Sequence, residues 1–155
     1  MSLEEQFAQK FAGLRHAYSV FTPSSETRED GKAKGTNVTI SKTLTKEQLK
    51  DLWRQHLDGK QSIGIVAIDE NNSCVWGAID IDEYPLDLKG LAKKLKKFKL
   101  PLVVCRSKSG GAHLFLFVFD PVPAYLMQKK LRQVAASIGF GTAEIFPKQT
   151  KLLLE

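Results

Sequence analysis

Between residues 74 and 147 two periodicities alternate in a fixed order, and that order leaves few folds open. CVWGAIDI reads as a strand, and a helix covers roughly 86–98, with Leu88, Leu91, Leu95 and Phe98 recurring at helical spacing. PLVVCR is a second strand, SKSGGA a loop and HLFLFVF a third strand. Pro123 stands near the start of a helix whose stripe is Leu126, Met127, Leu131, Val134, Ala135 and Ile138, with Gly139 at its end. TAEIF is a last strand. The order β-α-β-β-α-β is the split βαβ arrangement of an α/β (α+β) chain.

That arrangement, shared by ferredoxin-like and RNA-recognition (RRM-like) folds, dictates which ends meet. Its first strand is central, and right-handed crossovers set the third and fourth strands on either side, both antiparallel to it. The end of the first strand carries Asp80 and Asp82, the third opens on His113, and Glu144 lies near the start of the fourth. Residues two apart share a face. With Val75, Gly77, Ile79 and Ile81 toward the helices, Asp80 and Asp82 take the opposite face. Leu114, Leu116 and Val118 send His113 there by the same rule, and Ala143 and Ile145 send Glu144. Trp76, Phe115, Phe117, Phe119 and Phe146 share this face. In an RNA-binding domain such rings stack bases, but the upstream residues need a surface to cover, so most of the rings are expected to be packed.

Upstream, Leu3, Phe7, Phe11 and Leu14 suggest an amphipathic helix, and TPSSETREDGKAKGTN, 22–37, reads as a long loop. After the short alternating run VTISKTL, Thr45 and Gln48 fit a capping box, Leu49, Leu52, Trp53 and Leu57 form a stripe, and Gly59 closes the helix. SIGIVAI reads as a strand and DENNS as a turn. The expectation is one domain over 1–155: an N-terminal α/β unit, 1–70, layered on an RRM-like unit, 74–147. No apolar run approaches the ~18 residues of a membrane span, and the N-terminus lacks a signal-peptide layout, so a cytoplasmic protein is expected. Cys74 and Cys105 lack zinc-site spacing and are too few for a disulfide framework, which suits buried thiols.

Carboxylates two apart on a strand lie ~6.5 Å apart, and their repulsion is roughly 2–3 kcal/mol at an effective dielectric of 20. A divalent cation reverses the sign, and oxygen-only ligands select Mg²⁺ or Mn²⁺. An acidic rim answering lysines of a neighbouring loop is the bland alternative; the convergence of His113 and Glu144 favours the metal. In CRSKSGGAH, Gly110 and Gly111 allow close approach of an anion, Ser107 and Ser109 offer hydroxyls, and Arg106 and Lys108 offer positive charge. The same loop also serves as an ordinary tight connection. Net charge is +6, which permits a polyanionic partner. In KGLAKKLKKFK, 89–99, Lys93, Lys96 and Lys97 stand between the apolar positions. A solvated helix face accounts for them; contact with a phosphate backbone is the other reading.

At these residues the sequence resembles the archaeo-eukaryotic primase superfamily, in particular its primase–polymerase branch from phages, plasmids and related mobile elements. WGAIDID matches the family's metal-binding strand, Gly111-Ala112-His113 its nucleotide-contacting histidine motif, and Glu144 in TAEIFPKQ its third motif. The likeness covers approximately residues 45–150. It implies a nucleotidyltransferase, a DNA-dependent primase–polymerase using Mg²⁺ or Mn²⁺, (d)NTPs and a DNA template. Asp80, Asp82 and Glu144 would be catalytic metal ligands. His113, Ser107, Lys108, Ser109, Gly110 and Gly111 would hold the triphosphate, with Arg106 and Lys148 as lesser contributors and Lys93, Lys96 and Lys97 touching nucleic acid. Members usually continue past the third motif, so a longer polypeptide with a fused or associated helicase is expected, of bacterial, archaeal or phage origin. Two other classes stand beside this one: a non-catalytic single-stranded nucleic-acid binding module, and another DxD metal enzyme such as a nuclease or glycosyltransferase.

Overall fold

The computed structural model describes residues 1–29 and 33–153. Its elements run α1 (Leu3–Lys10), β1 (Tyr18–Thr27), β2 (Ala33–Ile40), α2 (Lys46–Leu57), β3 (Gly64–Ile65), β4 (Ser73–Ile81), α3 (Leu88–Lys97), β5 (Val103–Arg106), β6 (Ala112–Pro123), α4 (Ala124–Ser137) and β7 (Glu144–Phe146). They build two antiparallel sheets, ordered β2-β1-β3 and β5-β6-β4-β7. The second is the expected split βαβ order, with β4 flanked by β6 and β7. The fold is α+β, as its periodicities imply.

Burial divides β4 and β6 between two apolar clusters. On one face Ile79, Ile81 and Leu114 meet Leu91 and Leu95 of α3 and Met127, Leu131 and Val134 of α4. Gly77 lets α4 come close, for a Cβ there would stand 2.7 Å from the Leu131 and Met127 side chains. On the other face Trp76 and Ala78 pack with Phe11, Phe115, Phe117 and Phe146. The Trp76 indole N–H donates to the Ala12 carbonyl at 3.0 Å, tying the end of α1 to the sheet. The rings expected to be covered are covered, with one exception: Phe119 is 99% exposed.

Several sequence expectations need correction. Val75 packs with the aromatic cluster and Cys74 with the helices, because a register shift between Cys74 and Trp76 reverses the alternation there. The segment 22–37 is largely a hairpin, with Phe21 opposite Asn37 and Pro23 opposite Gly35. Past Phe21 the β1 residues are exposed on both faces, so backbone pairing builds the strand without any apolar alternation. Residues 30–32 of that expected loop lie outside the described residues. The strand expected over SIGIVAI shortens to Gly64–Ile65. Beyond it Val66 accepts from the Leu14 N–H at 3.0 Å, and Ala67 and Ile68 turn into the core. Leu3, Leu57 and Phe98, read as stripe residues, are exposed. The Thr45–Gln48 capping box is present, and Gly59 closes α2 at φ +72°. A second box, Ser2–Glu5, opens α1. No described helix is long and apolar enough to cross a membrane.

Candidate active site

The ladder hydrogen bonds decide what meets at the end of β4. Asp80 stands opposite His113 on β6 and opposite Glu144 on β7. Directly paired antiparallel residues have Cα atoms about 4.5–5.5 Å apart, so one carboxylate has a polar neighbour on each side. His113 Nε2 lies 3.3 Å from Asp80 Oδ1, and the imidazole meets Phe115 edge to face at 5.8 Å. The hydrogen bond that His113 donates to Asp80 raises the His113 pKa above its ordinary value, against the opposing pull of burial.

The other two carboxylates have partners of their own. Lys148 Nζ reaches Glu144 Oε1 at 2.7 Å while lying 5.1 Å from the centre of the Phe146 ring. Asp82 falls one residue past the end of β4 and accepts a hydrogen bond from the Tyr84 hydroxyl. The Tyr84 ring also flanks the β5–β6 turn, since a Cβ on Gly110 would lie 3.9 Å from it. Tyr84 is the site residue the sequence reading missed. It follows the strand, outside any periodicity, and only its two-residue distance from Asp82 points to it.

The turn itself is built for close approach. The Ser107 N–H donates to the Gly111 carbonyl at 3.0 Å and the Gly110 N–H to the Ser107 carbonyl at 3.1 Å. Gly110 takes φ +98°, and a side chain on Gly111 would collide with the Ile81 carbonyl, so both positions demand glycine. Among the described residues the N–H groups of Lys108 and Ser109 meet no protein acceptor. With the Ser107 and Ser109 hydroxyls they offer donors to an anion beside His113. The Lys108 ammonium sits 4.9 Å from the centre of the Phe21 ring on β1, and Arg106 ends β5 exposed. Lys93, Lys96 and Lys97 belong to α3, on the opposite side of the sheet.

The donor set of Asp80, Asp82 and Glu144 is carboxylate oxygen throughout, the chemistry that suits Mg²⁺ or Mn²⁺. Each of these carboxylates is engaged by the chain itself: Asp80 by His113, Asp82 by Tyr84, Glu144 by Lys148. Among the described residues no group of three or more His, Cys, Asp or Glu side chains gathers as a metal set. The structure therefore unites Asp80, His113, Glu144 and Lys148, with Asp82 and the glycine turn adjoining. The ligand chemistry fits the ion, and the side-chain settings are those of carboxylates held by protein donors. The family described as the archaeo-eukaryotic primase domain of the TOTE conflict system matches residues 2–152. Among curated proteins no significant match is found.

Proposed function

The chain belongs to the archaeo-eukaryotic primase domain family of the TOTE conflict system, and on that premise we propose that it is a metal-dependent nucleotidyltransferase, a DNA primase–polymerase domain joining (d)NTPs on a DNA template. One observation carries this reading: the register across β7, β4 and β6 that sets Glu144, Asp80 and His113 side by side. Asp80, Asp82 and Glu144 are the residues that would hold Mg²⁺ or Mn²⁺. Such an ion supplies Lewis acidity to an attacking hydroxyl and to a departing pyrophosphate.

The chain's own groups would do the rest. For Glu144 to become a ligand, its ion pair with Lys148 opens; for Asp82, the Tyr84 hydroxyl turns away. Both partners are substantially exposed, and exposed pairs of this kind are worth only about 0–1 kcal/mol. His113, oriented by Asp80, presents an N–H toward phosphate oxygens, and its raised pKa favours the charged form that binds them. The free amides of the turn, with the Ser107 and Ser109 hydroxyls, hold the same oxygens, while Arg106, Lys108 and a released Lys148 add positive charge. The alternative of a non-catalytic module stacking bases on the sheet loses its platform, because Phe115 and Phe117 are packed against Phe11.

The test is nucleotide incorporation into a primed DNA template with Mn²⁺. The Asp80→Ala/Asp82→Ala protein is expected to lose incorporation with its circular dichroism unchanged. Incorporation at the wild-type rate by that variant would overturn the proposal.

A further inference from the structure

The helical layer carries a charge pattern that the site does not use. α3 bears five lysines and α4 bears Lys129, Lys130 and Arg132, while neither helix contains an Asp or Glu. All 17 acidic residues and fifteen of the 23 Lys and Arg lie elsewhere, so the net charge of +6 arises wholly from these two helices. They form one layer. Leu91 and Leu95 from α3 and Met127, Leu131 and Val134 from α4 share a cluster on the sheet face opposite Asp80. The Lys94 ammonium donates to the Ile138 carbonyl at the end of α4, at 2.8 Å, linking the helices directly. With the apolar stripes turned inward, the cationic side chains of both helices are exposed.

A merely solvated helix face gains from Glu placed four residues before Lys. Here the neighbours at that spacing are like-charged: Lys89 with Lys93, and Lys93 with Lys97 on α3. Lys129 and Arg132, three apart on α4, repeat the pattern. Such pairs disfavour the helix, and among the described residues none of these cations is ion-paired. Lysines four apart stand about 6 Å apart along a helix axis, close to the separation of successive phosphates on one nucleic-acid strand. An acid-free double row of this kind matches a regular polyanion.

We propose that the α3–α4 layer is a second DNA-contact surface, which grips the phosphodiester backbone without reading sequence, on the side of the sheet away from the site. The choice of DNA over other polyanions rests on the nucleotidyltransferase reading. The surface would keep the template attached while the opposite face works, and its affinity would be set by salt.

The experiment is fluorescence anisotropy of a short labelled DNA duplex with the full chain, from about 50 to 200 mM salt. The Lys93→Gln/Lys97→Gln/Lys130→Gln/Arg132→Gln protein is expected to bind at least about tenfold more weakly, with a salt slope shallower by about three units. Relieved repulsion should leave its melting midpoint no lower than that of the wild type. If the fourfold variant does not fold, Lys93→Gln/Lys97→Gln and Lys130→Gln/Arg132→Gln are measured separately and each should flatten the slope. Incorporation is measured separately on the Asp80→Asn/Asp82→Asn protein: if it keeps incorporation, the nucleotidyltransferase reading fails while the surface stands. Wild-type affinity and slope in the helix variants would overturn the surface, and so would displacement of the duplex by vesicles of anionic phospholipid.

Discussion

Lys148 crosses the Phe146 ring to reach Glu144 at 2.7 Å, and in doing so it occupies the oxygen that a divalent cation would need. Two effects then oppose the cation: competition for the carboxylate, and repulsion from an ammonium a few ångströms away. Both partners are about half exposed, so screening keeps the combined penalty at about 1 kcal/mol. Lys148→Met is therefore expected to bind Mn²⁺ about five-fold more tightly, read as free Mn²⁺ by electron paramagnetic resonance during a titration. Unchanged or weaker binding would show that Lys148 does not compete at Glu144. The positions of Asp80, His113 and Glu144 were legible in the sequence because strand parity and crossover handedness are backbone rules that need no side-chain detail. Tyr84 was not, since it lies past the strand where no period applies, nor was the turning of Val75, because a one-residue register shift leaves no compositional trace.

Among the elements, α1 matters through a single ring. Phe11, its C-cap residue, meets Trp53 at 5.6 Å, Trp76 at 5.3 Å, and Phe115 and Phe117 each at 5.2 Å. It joins α2 to the four-stranded sheet and covers part of the Phe115 and Phe117 rings near His113. Phe11→Ala removes edge-to-face contacts on three sides and opens a cavity, so a loss of about 3 kcal/mol is expected in urea denaturation. A loss below about 1 kcal/mol would mean that α1 only rests on the sheet. The stripe of Phe7 and Phe11 announced this helix at the sequence level. The β1–β2 hairpin was hidden because its outer half buries neither face, and a ladder of backbone bonds is indifferent to the Ser, Thr and Pro side chains that suggested a loop. The shortening of β3 was hidden for a different reason. Ile65 through Ile68 are apolar in strand and core alike, and the point where Val66 takes the Leu14 N–H instead of a ladder partner leaves no mark in the sequence.

For the whole molecule, β4 is the element both layers share. Cys74 faces the helices and the next residue, Val75, the aromatic cluster, so neither layer can be lost without exposing this strand. That arrangement makes unfolding a single cooperative event, and it gives global stability a pH dependence readable at one thiol. Cys74 is 2% exposed, and burial, aided by the negative charge of Asp69, pushes its pKa up to about 11 from 9.0. Asp69 is fixed in place by the Asn71 and Ser73 N–H groups at 2.9 and 2.8 Å. The folded state thus holds the thiol proton more tightly than the unfolded state does. Its contribution is complete below pH 9 and is lost as the pH rises toward 11, a fall of about 2–3 kcal/mol. In Cys74→Ala this fall should vanish, leaving the decline due to Cys105, whose pKa burial also raises. Urea midpoints of the two proteins at about pH 8.5 and pH 10.5 make the comparison. An equal decline in both would mean that β4 opens to solvent before the molecule unfolds, and that the two layers separate independently.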